Sequence, residues 1–298
     1  MHSVFHMQLA FDNISTDPVK IWVGKDVEIS VLRLDKIHPV ISGNKWFKLQ
    51  YYLKEATQQG KKKIVTFGGA WSNHIVAAAA ACKMNGIPCA GIIRGEEPAA
   101  YSPTLLQAKE YGMHLAFISR EEYATKNIPA ALKSDENYFI KEGGFGKKGA
   151  EGASGILHYA KRDFTHCCCA VGTGTMMAGL IKAISASQQV IGISVMKNNY
   201  QLDENVRSLI EDEVKQWQIL HDHHFGGYAK HKPGLIAFMN EFYRETGIPS
   251  DFVYTGKLFC AVATLVKINF FPAGSRLLLI HSGGLQGNKS LEKGTLIF

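Results

Sequence analysis

Along most of the chain, short apolar runs of strand length alternate with longer segments of helical periodicity. Val27 to Leu34 reads as a first strand, with enough alternation for the edge of a sheet. It leads into the small-residue turn Ser42-Gly43-Asn44-Lys45, and residues 46–59 then read as a helix that stops near Gly60. Ile64 to Phe67 is a compact strand broken by Gly68-Gly69, and Ser72 or Asn73 can cap an alanine-rich helix from Ile75 to Asn85. The pattern next predicts a strand at Pro88 to Arg94, a helix at 104–112, a strand at 113–118, a helix at 121–133 and a strand at 137–140. A glycine-rich link covers 143–155. After it come a helix at 156–162, a strand from Cys167 to Val171, a helix from Met176 to Ser185 and a strand from Val190 to Val195. Strands spaced by helix-length segments predict an α/β fold of parallel βαβ units, covered by helices on both faces.

Composition narrows this picture. At 298 residues, 46% hydrophobic and 20% charged, the chain has the values of a globular protein of one large domain or two ordinary ones. The net charge of +7 favours anionic ligands. No basic stripe interleaved with aromatics accompanies it, so nucleic acid is not an expected partner. Cys167, Cys168 and Cys169 are adjacent and on a strand would point to alternate faces, which suits buried reduced thiols and a cytoplasmic setting better than a metal site or disulfides. The longest clear apolar run, Ile75 to Cys82, has eight residues, and Met1 to Ser15 lacks a basic segment followed by an apolar one. Neither membrane insertion nor secretion is therefore expected.

Candidate chemistry begins at Lys45. A lysine between a small-residue turn and an apolar helix can have its amine desolvated, which lowers its pKa and suits Schiff-base chemistry. Three further turns fall where parallel-sheet enzymes place their sites, at the carboxyl ends of strands. Gly68-Gly69-Ala70-Trp71-Ser72-Asn73-His74 offers the donors of a helix start, with Ser72, Asn73 and His74 adding side chains, as a nest for a carboxylate. Simple helix capping by Ser72 or Asn73 is the plainer alternative. Gly172-Thr173-Gly174-Thr175 suits a phosphate. It also resembles the opening of a dinucleotide fingerprint, yet Met196-Lys197-Asn198-Asn199, after the next strand, provides no acid for a ribose hydroxyl. The last is Val253-Tyr254-Thr255-Gly256-Lys257, echoed by His281-Ser282-Gly283-Gly284. His221, His223 and His224 read as a solvated loop, Phe270-Phe271 as core or interface, and Cys260 as packing.

Taken together, Gly43-Asn44-Lys45 with Lys48, Gly68-Gly69-x-x-Ser72-Asn73-His74, Gly172 to Thr175, Val253 to Lys257 and His281 to Gly284 occur in the order of one known family. The chain resembles the 1-aminocyclopropane-1-carboxylate deaminase and D-cysteine desulfhydrase family, within the tryptophan-synthase-β-like, fold-type-II pyridoxal-phosphate enzymes. The resemblance implies two α/β domains, each a mostly parallel sheet flanked by helices, with pyridoxal 5'-phosphate in the cleft between them. The smaller domain would be residues 47–152, inserted in a larger one of residues 1–46 and 153–298. It implies that Lys45 forms the Schiff base, that Lys48 and Gly172, Thr173, Gly174 and Thr175 hold the phosphate, and that Asn73 bonds the phenolic oxygen. Ser72, Asn73 and His74 would receive the substrate carboxylate, and Tyr254 and Tyr228 would line the reacting face.

In the deaminase branch the residue after the tyrosine of the Val-Tyr motif is Glu; here it is Thr255, and either its hydroxyl or a residue of the His281-Ser282 turn would meet the pyridine nitrogen. That leans toward β-elimination on a small amino acid of D configuration, as in D-cysteine desulfhydrase, giving an α-keto acid, ammonia and sulfide. Cyclopropane-carboxylate deamination, a silent pyridoxal-phosphate carrier and a nicotinamide-dependent oxidoreductase stay open beside it. Members of the family are commonly homodimers. The pocket edge departs from the family pattern at Ile140-Lys141-Glu142-Gly143-Gly144-Phe145, and the stretch between Tyr200 and Tyr228 is abbreviated.

Overall fold

The computed structural model describes residues 8–21, 26–210 and 215–298, so part of the N-terminal stretch read for a targeting signal lies outside them. The chain opens with β1 (Thr16–Val19) and β2 (Glu28–Arg33), then α1 (Asn44–Gln58). A strand–helix series follows: β3 (Lys63–Gly68), α2 (Asn73–Met84), β4 (Cys89–Arg94), α3 (Pro103–Glu110), β5 (His114–Ile118), α4 (Arg120–Ala124) and β6 (Asn137–Ile140). After α5 (Lys147–Ser154) come β7 (His166–Val171), α6 (Thr175–Ala183), β8 (Gln189–Ser194), α7 (Gln201–Arg207) and β9 (Gln216–Leu220). The last elements are α8 (Pro233–Thr246), α9 (Thr255–Lys267) and β10 (Arg276–His281).

Two sheets result. The larger has the order β1-β2-β10-β7-β8-β9, and the smaller β5-β4-β3-β6. Among the described residues every strand pairing is parallel except β1 with β2. Parallel strands are covered on both faces and read as continuous apolar runs, and the adjacent cysteines of β7 show why. Cys167 and Cys169 pack with Met177, Leu180 and Ile181 of α6, whereas Cys168 enters the opposite core with Phe259 and Val262 of α9. In the small sheet Ile64 faces the α1–α2 side and Val65 the other, toward Tyr123 of α4. Ala77 to Ala81 of α2 are all buried, and small side chains let this helix sit between the sheet and its neighbours.

Three elements differ from the sequence reading. β2 is buried at every position after Glu28 and lies between β1 and β10, so β1 takes the edge instead. The helix expected at 121–133 ends at Ala124: Lys126 takes a left-handed backbone (φ 56°) and Pro129 follows, and a proline cannot continue a helix ladder. The glycine-rich link holds α5, while 156–162 forms only a short 3-10 turn, Gly155–Tyr159. Glycine lowers helix propensity, but here closeness wins: a Cβ on Gly152 would run into the carbonyl of Phe47 in α1.

Candidate active site

The carboxyl ends of the two sheets face one another across a cavity of about 530 Å³. Its wall includes Ser72, Asn73 and His74 after β3, Arg94 at the end of β4 and Glu142 after β6. From the large sheet come Gly172 and Thr173 after β7, Met196 after β8 and Ser282 after β10. In the large sheet β8 and β9 lie on one side of β7, and β10 and β2 on the other. Such a reversal of strand order opens a crevice at the strand ends, and Gly172 and Ser282 stand in it.

Lys45 is set by the turn before it. Gly43 has φ 62°, and a Cβ there would collide with the Ser282 carbonyl, so the turn tolerates only glycine. The Asn44 amide donates to that same carbonyl at 3.2 Å, which docks the start of α1 on the turn after β10. Lys45 Nζ donates to Asn44 Oδ1 at 2.8 Å and stands 5.9 Å from the Tyr254 ring centroid. Burial lowers the Lys45 pKa to about 8, against the opposing pull of the Asp251 charge. Lys48, on the same side of α1, donates from Nζ to the Gly143 carbonyl at 2.5 Å. Burial, and then the charge of Lys45, holds its pKa well below the ordinary lysine value.

The nest after β3 is built differently from its sequence reading. Ser72 Oγ caps α2, accepting from the amides of His74 (3.2 Å) and Ile75 (3.3 Å), and its own proton remains to be given into the cavity. Asn73 Nδ2 donates to the Gly284 carbonyl at 2.8 Å, tying α2 to the turn after β10, and Asn73 Oδ1 is buried with no partner among the described residues. Thr66 Oγ1 gives its proton to the Ile140 carbonyl at 2.9 Å, so toward His74 Nε2, 2.8 Å away, it can only accept. The ring proton therefore sits on Nε2, and Nδ1 is a buried acceptor with no partner among the described residues. Burial and the charges of Lys48 and Lys45 keep the ring neutral, its pKa well below the ordinary histidine value. Both N–H groups of His74 are thus engaged, and it has no donor left for a carboxylate; that expectation is corrected, and Ser72 with Asn73 remain.

Gly172, Thr173 and Gly174 line the cavity, and Gly174 is the left-handed N-cap (φ 84°) of α6. Thr175 is fully buried, its hydroxyl 3.1 Å from that of Thr173. Tyr254 and Tyr228 face the cavity with their rings crossed edge to face at 6.1 Å. Burial, then the neighbouring Tyr228, raises the Tyr254 pKa well above the usual phenol value. Thr255 is not on the wall. It is fully buried, and its hydroxyl donates to Asp251 Oδ1 at 2.7 Å while accepting from the Asp251 amide at 2.8 Å. Ser282 does line the cavity, in a turn fixed by buried His281, whose Nδ1 accepts from the Gly283 amide at 3.2 Å.

Four residues of the region were not singled out from the sequence. Asn44 bonds Lys45, and Arg94 and Glu142 sit on the wall; Arg94 and Glu142 lie at or just past predicted strand ends, where the carboxyl-end rule points. Lys257, quoted only as part of a motif, is fully buried and donates to the Gly227 carbonyl at 2.7 Å, holding the loop that carries Tyr228. Elsewhere, His221 Nε2 lies 2.9 Å from Asp203 Oδ2, away from the cavity lining. Among the described residues no helix is long and apolar enough to cross a membrane.

The chain is similar to known proteins over most of its length. A putative 1-aminocyclopropane-1-carboxylate deaminase of Pyrococcus abyssi is 29% identical over 284 residues, covering 88% of this chain and 86% of the relative. A bifunctional D-cysteine desulfhydrase/1-aminocyclopropane-1-carboxylate deaminase of Arabidopsis thaliana, mitochondrial, is 29% identical over 296 residues, covering 87% of this chain and 73% of the relative. The crystal structure of an ACC deaminase homologue superposes with a TM-score of 0.79 at 24% identity, over 97% of both chains. That likeness shows the two-sheet fold. The family described as "Pyridoxal-phosphate dependent enzyme" matches residues 24–283, and the chain belongs to it.

Proposed function

We propose that this enzyme carries out β-elimination on a small amino acid, of D configuration, in the manner of D-cysteine desulfhydrase, yielding an α-keto acid, ammonia and sulfide. The proposal includes a small domain of about residues 47–152, a division supported by the grouping of β3 to β6 in one sheet. The residues fit pyridoxal phosphate. Lys45 presents an amine with a pKa of about 8, Lys48 and the start of α6 suit the phosphate, and the free acceptor and remaining N–H of Asn73 await a polar partner.

When bound, the cofactor supplies an electron sink that makes the substrate Cα proton removable. Lys45 would serve as the base for that proton, and its lowered pKa keeps a useful neutral fraction near pH 7. Ser72 Oγ and the Asn73 amide, which has no intrahelical acceptor at the start of α2, orient the carboxylate. Tyr254 and Tyr228 keep their protons and cover the reacting face.

One observation carries the choice of elimination. On the large-sheet side the cavity lining includes Ser282 and, among the described residues, no acidic residue. Asp251, the acid nearest in charge to Lys45, is fully buried behind Tyr254, and its oxygens accept from the amides of residues 253, 254 and 255 and from the Thr255 hydroxyl. A hydroxyl leaves the ring nitrogen largely neutral, which suits loss of a β leaving group. Of the two candidates for the ring nitrogen, Thr255 and the His281-Ser282 turn, we therefore favour Ser282. Purified holoprotein should release sulfide and pyruvate from D-cysteine in equal amounts. Release of 2-oxobutanoate from 1-aminocyclopropane-1-carboxylate with no sulfide from D-cysteine would reverse the choice.

A further inference from the structure

The cavity wall carries three basic side chains, Lys45, Lys48 and Arg94, and one acidic one, Glu142. Two of the cations have work in the reading above, on the cofactor's carbonyl carbon and its phosphate, and the substrate carboxylate goes to Ser72 and Asn73. Glu142 is already matched, since its Oε2 lies 2.6 Å from Lys126 Nζ. Arg94 has no ion pair or side-chain hydrogen bond among the described residues, and it is exposed, so its guanidinium is open to a ligand.

Its position says which ligand. Arg94 ends β4, the strand beside β3, and the register pairs Ile93 with Gly68, immediately before the nest. Neighbouring strands run about 4.8 Å apart. Arg94 therefore ends the strand beside the one that leads into the nest, and it lines the same cavity as Ser72. Arg94 and Tyr228 line the same cavity.

The geometry points to Arg94 as a subsite for a second anion, so that the preferred substrates are amino acids whose β-substituent carries negative charge, such as a sulfonate, thiosulfonate or phosphate ester. This inference rests on the elimination reading. The balanced reaction is amino acid plus water giving pyruvate, ammonium, the released anion X⁻ and a proton: the Cα–H, Cβ–X and Cα–N bonds break, X leaves with its bonding pair, Cβ takes up a proton, and water supplies the keto oxygen. A guanidinium at X stabilises that pair as the bond breaks.

The test compares pyruvate formation by the holoenzyme from both enantiomers of S-sulfocysteine and O-phosphoserine with that from cysteine and β-chloroalanine. The anionic members should have the higher kcat/KM. In Arg94→Met the ratio of anionic to neutral kcat/KM should fall about 10–100-fold, the scale of one charge-assisted pair, and Arg94→Lys should restore part of it. An unchanged ratio overturns the proposal, whether all rates fall together, as they would if Arg94 held the common carboxylate, or none does. Calorimetric binding of aspartate against alanine, which do not eliminate, reads the same subsite without turnover. Loss of aspartate preference in Arg94→Met supports the subsite even if every elimination assay is blank, and no preference in the native enzyme overturns it.

Discussion

Helices α1 and α9 both begin with a lysine in their first turn, and the two lysines have met different fates. Lys45 is the second residue of α1 and Lys257 the third of α9. A cation at a helix start faces the positive end of the helix dipole, and burial adds to that penalty. Both amines end near the same pKa, about 8, with Asp251 offsetting part of the shift in each case. What separates them is the partner. Lys45 Nζ rests on the Asn44 side chain at the cavity wall, whereas Lys257 is fully buried and spends its charge on the Gly227 carbonyl. A shifted pKa therefore marks a buried lysine, and access to a cavity marks a reactive one.

The comparison breaks most sharply at Lys45. Lys45→Ala should remove the visible absorbance of the lysine-bound cofactor and lower turnover by at least ~10³-fold, the range lost when a covalent catalyst is deleted. Lys257→Ala should keep the absorbance band. A band that survives in Lys45→Ala and disappears in Lys257→Ala would exchange the two roles.

The pH dependence of cofactor capture sharpens the same contrast. Only the neutral amine attacks the cofactor aldehyde. With a pKa of about 8 Lys45 is roughly 10% neutral at pH 7, against roughly 0.04% for an ordinary lysine near 10.4. Stopped-flow mixing of apoprotein with pyridoxal phosphate should show a rate that climbs as pH rises toward about 8 and levels beyond it. A climb that continues to pH 10 would mean that the amine is solvated and the cavity more open than its walls imply.

How far the sequence reached follows the same line between position and partner. Lys45, Ser72, Asn73 and the Gly172 to Gly174 loop were legible because each sits at a strand or helix end marked by glycine and small polar residues, and strand ends converge in a parallel fold. Their hydrogen-bond states were not. That His74 has no donor to offer depends on Thr66, eight residues earlier, and on a proton that Thr66 gives to Ile140 on the next strand. That Thr255 turns from the cavity depends on Asp251, whose carboxylate gathers the backbone before α9. The helix α5 was hidden because its glycines read as a break until Phe47 and Gly179 are known to press against it. Periodicity carries the local ladder; long-range closeness is outside its reach.

The smallest expected effect is at Lys257, and it asks whether a buried lysine without access still serves the site. Replacing it by Met removes a buried cation along with its hydrogen bond, and such losses tend to cancel in stability, so the thermal midpoint should move little. The Gly227 loop, no longer tethered to α9, should hold Tyr228 less firmly over Tyr254 and lower kcat/KM about tenfold, the cost of a misplaced positioning group. A merely structural role would make that loss independent of Tyr228. Measuring kcat/KM for Lys257→Met, Tyr228→Phe and the double variant separates the cases. If Lys257 acts through Tyr228, the double variant should be scarcely worse than Tyr228→Phe alone, and additive losses would show that the tether serves the fold and not the reacting face.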